Sequence, residues 1–273
     1  MNLNRVDLAD IHHPRKLAKG VHDQLGLINT SVPVIDIAKA LGIAEVKMCD
    51  TDSVEGMLLT DKTRSIGSIL ANTAKGIHRA RFTVAHELGH FLLERHVFEN
   101  GSFKCSSADI GGVSAGSPRH QLQESEANEF AISLLAPPYL AQPAIGATPD
   151  LADALTLRDQ LKISFEASVR LLITYRPEPI AAIWSKDGKV RYFVPSKAFP
   201  KLSVRPGHLL PAASAASRFI EIQNRGVTAV SDTPDRGWCI GPCRSMTEQT
   251  RLGRDGYAVT LLVADLPDDS DFE

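Results

Sequence analysis

Apolar residues recur every three to four positions in some stretches of this chain and alternate or run together in others. Behind Thr30 or Ser31 as a cap and Pro33 at the start, Val34, Ile37, Ala38 and Leu41 fall on one face, and Gly42 follows. This pattern predicts a short helix. Three strand-like runs come next: Ile43 to Met48, Gly56 to Leu59 and Ser65 to Asn72. Then Arg81 to Arg95 reverses the usual amphipathic proportion. Phe82, Val84, Ala85, Leu88, Phe91, Leu92 and Leu93 cover most of the predicted helix. Thr83, His86, Glu87, His90 and Glu94 crowd into about a third of its circumference. A solvated helix shows the opposite ratio, so this one is expected to be buried, with its polar band lining a cleft. Gly89 inside it costs about 1 kcal/mol relative to Ala, which is reasonable where another backbone passes close.

Further on, Glu99 to Arg119 is Gly- and Ser-rich and aperiodic, a loop long enough to serve as a linker or as a lid at the cleft. Glu124, Ala127, Asn128, Ala131, Leu134 and Leu135 then mark a helix that stops at Pro137-Pro138. Asp150 to Arg176 reads as two helices broken near Ile163-Ser164. That cadence suits a DNA-reading pair or a simple packed pair, and the acidic balance favours the latter. Past Pro177-Glu178-Pro179 the pattern turns to strands. IAAIW and VRYFV flank a turn at Lys186 to Lys189, a hairpin signal. Ser214 to Gln223 fits either helix or strand, and GVTAVSD, GWCIGPC and GYAVTLLVADL add strand-like runs. The expected fold class is α+β: a core with a small sheet and a buried helix, a helical pair, and a small mixed α+β domain. The expected divisions are residues 1–145, 146–176 and 177–265, with an acidic tail over 266–273.

The 273 residues carry a net charge of -2, which argues against a dominant phosphate-binding role. Direct nucleic-acid binding is therefore not expected to be the main activity. No apolar run reaches the ~18 residues needed to span a bilayer, and the N-terminus lacks a signal-type apolar core. The expected location is the cytoplasm. Cys49, Cys105, Cys239 and Cys243 are scattered, and the C-x-x-x-C pair has no further ligands near it in sequence, so reduced thiols at a strand end are expected.

Candidate chemistry centres on His86, Glu87 and His90, an H-E-x-x-H pattern. At about 100° per residue, positions four apart share a helix face. His86 and His90 can thus point two imidazoles at one ion, with Glu87 at the edge of that face to hold a water. Two histidines make half of a zinc site, and a carboxylate is a common third ligand. Glu124 and Glu126 lie about 200° apart on their helix and cannot both face the ion. Glu124 is the better candidate because it shares a face with Asn128, which can orient a liganding histidine. His96, His120 and Tyr139 are open candidates for stabilising an oxyanion. Ile69, Leu70, Ala71 and Asn72, just ahead of the helix, are a candidate edge for an extended peptide substrate, a plain core strand being the alternative. Arg79 and Arg81 oppose the helix dipole and are expected to pair with carboxylates or to hold substrate.

RFTVAHELGHFLLERH and ESEANEFAISLLAPP, in this order across a variable loop, resemble the ImmA/IrrE family of zinc metallopeptidases. VPVIDIAKALGI and SIGSILAN also look like that family's N-terminal portion. The resemblance covers roughly Val32 to Pro138. It implies that His86, His90 and Glu124 hold zinc and that Glu87 is the catalytic glutamate. Leu134-Leu135-Ala136-Pro137 departs mildly from a leucine-leucine-methionine-proline pattern. By resemblance, the expected activity is zinc-dependent endopeptidase cleavage of a protein, such as a helix-turn-helix repressor encoded nearby, to relieve repression, in some members within a stress response. The alternative is a regulator that binds a repressor or antitoxin without cutting it.

Overall fold

The computed structural model describes residues 1–52, 54–97, 102–106, 109, 117–221, 225–241 and 243–267, the backbone alone at 102–105. The chain has an α+β fold and divides into two units: Met1–Ala141 with Arg158–Ser164, and Gln142–Leu157 with Phe165–Glu273.

The first unit opens with helices α1 (Pro14–Leu25) and α2 (Val34–Ala40). Strands β1 (Ile43–Cys49), β2 (Gly56–Thr60) and β3 (Gly67–Asn72) follow, and lead into helix α3 (Ile77–Leu92). Strand β4 (Ser102–Cys105) lies inside the stretch expected to be structureless, and helix α4 spans Pro118–Leu135. A single turn, α5 (Pro138–Ala141), follows the proline pair. The sheet order is β1-β3-β2-β4, with β1 parallel to β3 and the other pairings antiparallel.

This order corrects one expectation. Ile69, Leu70, Ala71 and Asn72 do not form an edge. Ile69 pairs with Val46 on one side and Leu58 on the other, and Ala71 with Met48 and Gly56. Both backbone edges of β3 are therefore used. Its inward residues Ile69 and Ala71 are buried, and the strand packs against α3. A strand lying beneath the central helix becomes interior, and the terminal strands are β1 and β4. Asn72 holds the β1–β2 connection, donating Nδ2 to the Val54 carbonyl at 2.9 Å. Of the expected 99–119 lid, residues 99–101, 107–108 and 110–116 lie outside the described residues, as does the tail from 268 onward.

Helix α3 begins four residues ahead of Arg81 and ends at Leu92, leaving Glu94 and Arg95 beyond it. Its basic start is explained by pairing. Arg79 Nε donates to Glu55 Oε1 at 2.8 Å, Lys75 Nζ donates to Oε2 at 3.0 Å, and Arg81 Nη2 donates to the Val32 carbonyl at 2.7 Å. Its other end is capped by a cation. Arg64 Nη1 donates to the Leu93 carbonyl at 2.6 Å, and Arg64 Nη2 to that of His96, a favourable placement against the helix dipole. Burial pulls the Arg64 guanidinium down to about 10. Gly89 sits where α3 crosses α4: a Cβ there would meet Phe130 Cδ1 at 2.9 Å and the Ala127 Cα at 3.4 Å. The missing side chain is what lets the two helices approach.

The second unit contains the start of helix α6 (Leu151–Leu161), helix α7 (Phe165–Tyr175), and the hairpin β5 (Ile180–Lys186) and β6 (Lys189–Pro195). Asp187 and Gly188 both have positive φ, 49° and 74°, as a twist-matched two-residue turn requires. Short β7 (Lys201–Leu202), helix α8 (Ala215–Glu221), β8 (Gly226–Val227), β9 (Ser231–Asp232) and β10 (Cys239–Ile240) follow. Strands β11 (Ser245–Leu252) and β12 (Tyr257–Asp265) complete a sheet ordered β6-β5-β12-β11-β8.

Both faces of this sheet are covered, so β5 and β12 read as near-continuous apolar runs. Ile180, Ala182, Trp184, Val259 and Leu261 pack under α7 residues Val169, Leu172 and Ile173. Ala181, Ile183, Leu262 and Ala264 point the other way, toward Trp238, Phe199 and Ala216. Residues 146–176 are shared between the two units, Arg158–Ser164 with the first and the remainder with the second. The apolar face of α7 is already buried on this sheet.

Candidate metal centre

Helices α3 and α4 bring His86, His90 and Glu124 together, all buried, with their ligand atoms within 4.8 Å of one another. The two imidazole Nε2 atoms are 3.0 Å apart. Glu124 Oε2 lies 3.2 Å from His86 Nε2, and Oε1 lies 3.4 Å from His90 Nε2.

The bonds behind these residues fix where their protons sit. Asn128 Nδ2 donates to the Asp109 carbonyl at 3.0 Å, which turns Oδ1 toward His86 Nδ1, also 3.0 Å away. An amide oxygen only accepts, so His86 Nδ1 carries the proton and Nε2 keeps its lone pair. A second chain stands behind His90. His96 Nε2 is 3.0 Å from the Glu126 carboxylate, and His96 Nδ1 is 2.8 Å from His90 Nδ1. The carboxylate accepts from His96 Nε2, neutral His96 accepts at Nδ1, and His90 donates its Nδ1 proton. His90 Nε2 is left with a lone pair as well.

Burial, reinforced by neighbouring cations, pushes His96 down to about 2 and keeps it neutral. Burial likewise lowers His90 to about 4 against the pull of Glu124. Two lone pairs and a carboxylate therefore converge on one buried point. A proton on either Nε2 would make a buried imidazolium, which desolvation opposes. A divalent cation satisfies all three. The 3.0–3.4 Å spacings match the edges of about 3.3 Å expected for a tetrahedron with ~2.0–2.1 Å zinc bonds. The residues fit zinc.

Glu87, beside His86 on α3, is buried against β2. A Cβ at Gly56 would collide with the Glu87 carboxylate and approach Thr83 Cγ2 at 2.5 Å. Glycine at 56 is thus what gives that carboxylate its space.

His86, His90 and Glu124 are placed together with Asn128 behind His86, and Glu87 follows His86 on α3. Glu126 faces away from the ligand cluster, meeting His96 and Arg95 (Nε to Oε2, 3.1 Å). Of the three oxyanion candidates, His96 stands behind His90, and Tyr139 pairs with His22 at 3.2 Å. His120 remains on the partly exposed side, 3.9 Å from Glu124. The anchoring roles of Asp109, His96, Glu126 and Gly56 had no sequence signal, because each depends on a contact between distant segments. Cys239 and Cys243 are free thiols with Sγ atoms 3.5 Å apart. No helix among the described residues is long and apolar enough to cross a membrane.

An α+β chain with a buried His-His-Glu group is as far as fold and site define the class. No protein-family profile matches the chain, and no curated protein does. A solved structure of a Mycobacterium tuberculosis transcriptional regulator is similar over 95% of this chain and 80% of its own, with a TM-score of 0.57 at 18% sequence identity. That likeness carries the fold alone.

Proposed function

We propose that this chain is a zinc-dependent endopeptidase of the ImmA/IrrE type. The observation that carries the reading is the convergence of His86 Nε2, His90 Nε2 and the Glu124 carboxylate on one point from which both histidine networks exclude a proton. A purely structural site has no use for an adjacent buried carboxylate, and Glu87 supplies one. Zinc bound there supplies a Lewis acid that polarises a peptide carbonyl and acidifies water. Glu87 accepts the proton of the attacking water and returns it to the leaving amine. Asn128 and His96 keep the two imidazoles in the tautomer that leaves Nε2 available.

For the substrate we propose a helix-turn-helix repressor encoded close to this chain's own gene. The motif resemblance supports this. A second reading is that the chain grips a repressor or antitoxin without cutting it. Mixing wild type and Glu87→Gln with the neighbouring repressor separates the two. Cleavage predicts a fragment from wild type and none from the variant. Equal relief of repression by both, with no fragment, would establish the second reading instead.

A further inference from the structure

One residue absent from both sequence motifs braces His86 through Asn128 and also meets His120, the ring that approaches Glu124. Asp109 is buried, at 8% exposure, among residues 106–109 ahead of α4. Its backbone carbonyl accepts from Asn128 Nδ2 at 3.0 Å, and Asn128 in turn holds His86. Its carboxylate Oδ1 lies 3.4 Å from His120 Nε2, and the far nitrogen of that ring, Nδ1, lies 3.9 Å from Glu124 Oε1. The carbonyl is aimed by local bonds. Oδ2 accepts from Ser106 N at 2.8 Å and from Ser106 Oγ at 2.6 Å, while Asp109 N donates to Ser106 Oγ at 3.3 Å. Losing the carboxylate therefore frees the backbone that orients Asn128 as well as the ring beside Glu124. His90 is held independently, through His96 and Glu126.

We infer that Asp109 is a positioning residue for the metal centre, coupling His86 and Glu124 to a single anchor through Asn128 and His120. The inference rests on the proposed zinc site. It follows that the two ligands do not respond independently to changes in this segment: disturbing Asp109 loosens both, while disturbing Glu126 loosens only His90. Partners that orient zinc ligands typically alter metal affinity by about 10–100-fold.

The test is the zinc affinity of the full-length chain, measured by competition with a chromophoric chelator. Wild type, Asp109→Ala, Asn128→Ala and the Asp109→Ala/Asn128→Ala double variant are compared. Asp109→Ala should weaken zinc about tenfold or more. Because part of that loss runs through Asn128, the double variant should lose less than the product of the two single losses. His120→Asn, at a partly exposed position that puts folding at little risk, should reproduce the remaining share. Circular dichroism of the metal-free proteins checks that the variants fold. If Asp109→Ala does not fold, the Asn128→Ala and His120→Asn pair decides: wild-type affinity in both overturns the inference. Wild-type affinity in a folded Asp109→Ala, or strictly multiplicative losses in the double variant, also overturns it while the zinc site stands. A wild-type chain that binds no zinc removes the proposed function and this inference together.

Discussion

Strand β11 and helix α3 each bury several polar side chains, and they do so to opposite ends. On β11, Glu248, Gln249 and Thr250 are each at most 5% exposed. Gln249 Oε1 accepts from Leu151 N at 2.7 Å, its Nε2 donates to Asp150 Oδ1 at 3.0 Å, and Thr250 meets Thr260 at 2.9 Å. Glu248 accepts from Ala215 N at the start of α8. Donors there meet acceptors at Gln249 and Thr250, while Glu248 Oε2 is left without a partner among the described residues. On α3, the bonds made by the outer imidazole nitrogens force the inner ones to be acceptors, and a carboxylate joins them. That network closes only around a cation. Burial of polar groups alone does not mark a site. The balance of donors and acceptors does.

The sharpest way to break this comparison is to remove the metal. With free zinc at roughly 1,000 times its Kd, chelation should cost the first unit about 4 kcal/mol of stability, read as a fall in its unfolding midpoint, with the second unit's transition unmoved. Glu124→Gln should lose most of this zinc effect. Glu126→Gln, acting only through His96 and His90, should weaken zinc binding by about 10–100-fold without abolishing it.

Gly56→Ala comes next. The added methyl meets the Glu87 carboxylate, so overpacking of about 1–3 kcal/mol should accompany loss of peptide cleavage while zinc is retained. Denaturant melts and metal content together check this. In the second unit, Gln249→Ala strands the Leu151 N–H and should cost about 1–3 kcal/mol. Zinc content should not change, and a change would mean that the Gln249 network on β11 is part of the site.

The smallest expected effect is a difference in pH response. Burial, only partly offset by the bond to the Leu134 carbonyl, lowers His22 below its ordinary 6.5. As pH falls below 6.5 the unfolded chain takes up a proton that the folded first unit refuses, so that unit loses stability toward acid. In the second unit burial raises Glu248 above its ordinary 4.5. Its contribution is fully present below 4.5 and is lost as pH rises through the folded value. Single variants His22→Gln and Glu248→Gln should each flatten one slope and leave the other, as measured by thermal melts across pH.

Much of this architecture was legible in periodicity. The buried α3, the C-terminal end of α4, the β5–β6 hairpin and the choice of Glu124 over Glu126 were readable from face-sharing residues and turn signals. Strand β11 was not legible, because SMTEQTRL lacks apolar alternation and its burial depends on hydrogen bonds from Asp150 and Leu151. Nor was the interior position of β3. Local sequence marks a strand, but strand order depends on which side chains the helix covers. Asp109, His96 and Gly56 escaped for the same reason: their roles lie in contacts across the fold.

The most direct test of the account is the zinc content of the purified full-length chain after dialysis, for wild type and Glu124→Gln side by side. The account predicts about one zinc per wild-type chain, as expected for a three-ligand site, and little in the variant. A wild-type chain without zinc, or a Glu124→Gln chain that holds it as tightly, would contradict the claim that these three acceptors converge to bind a metal.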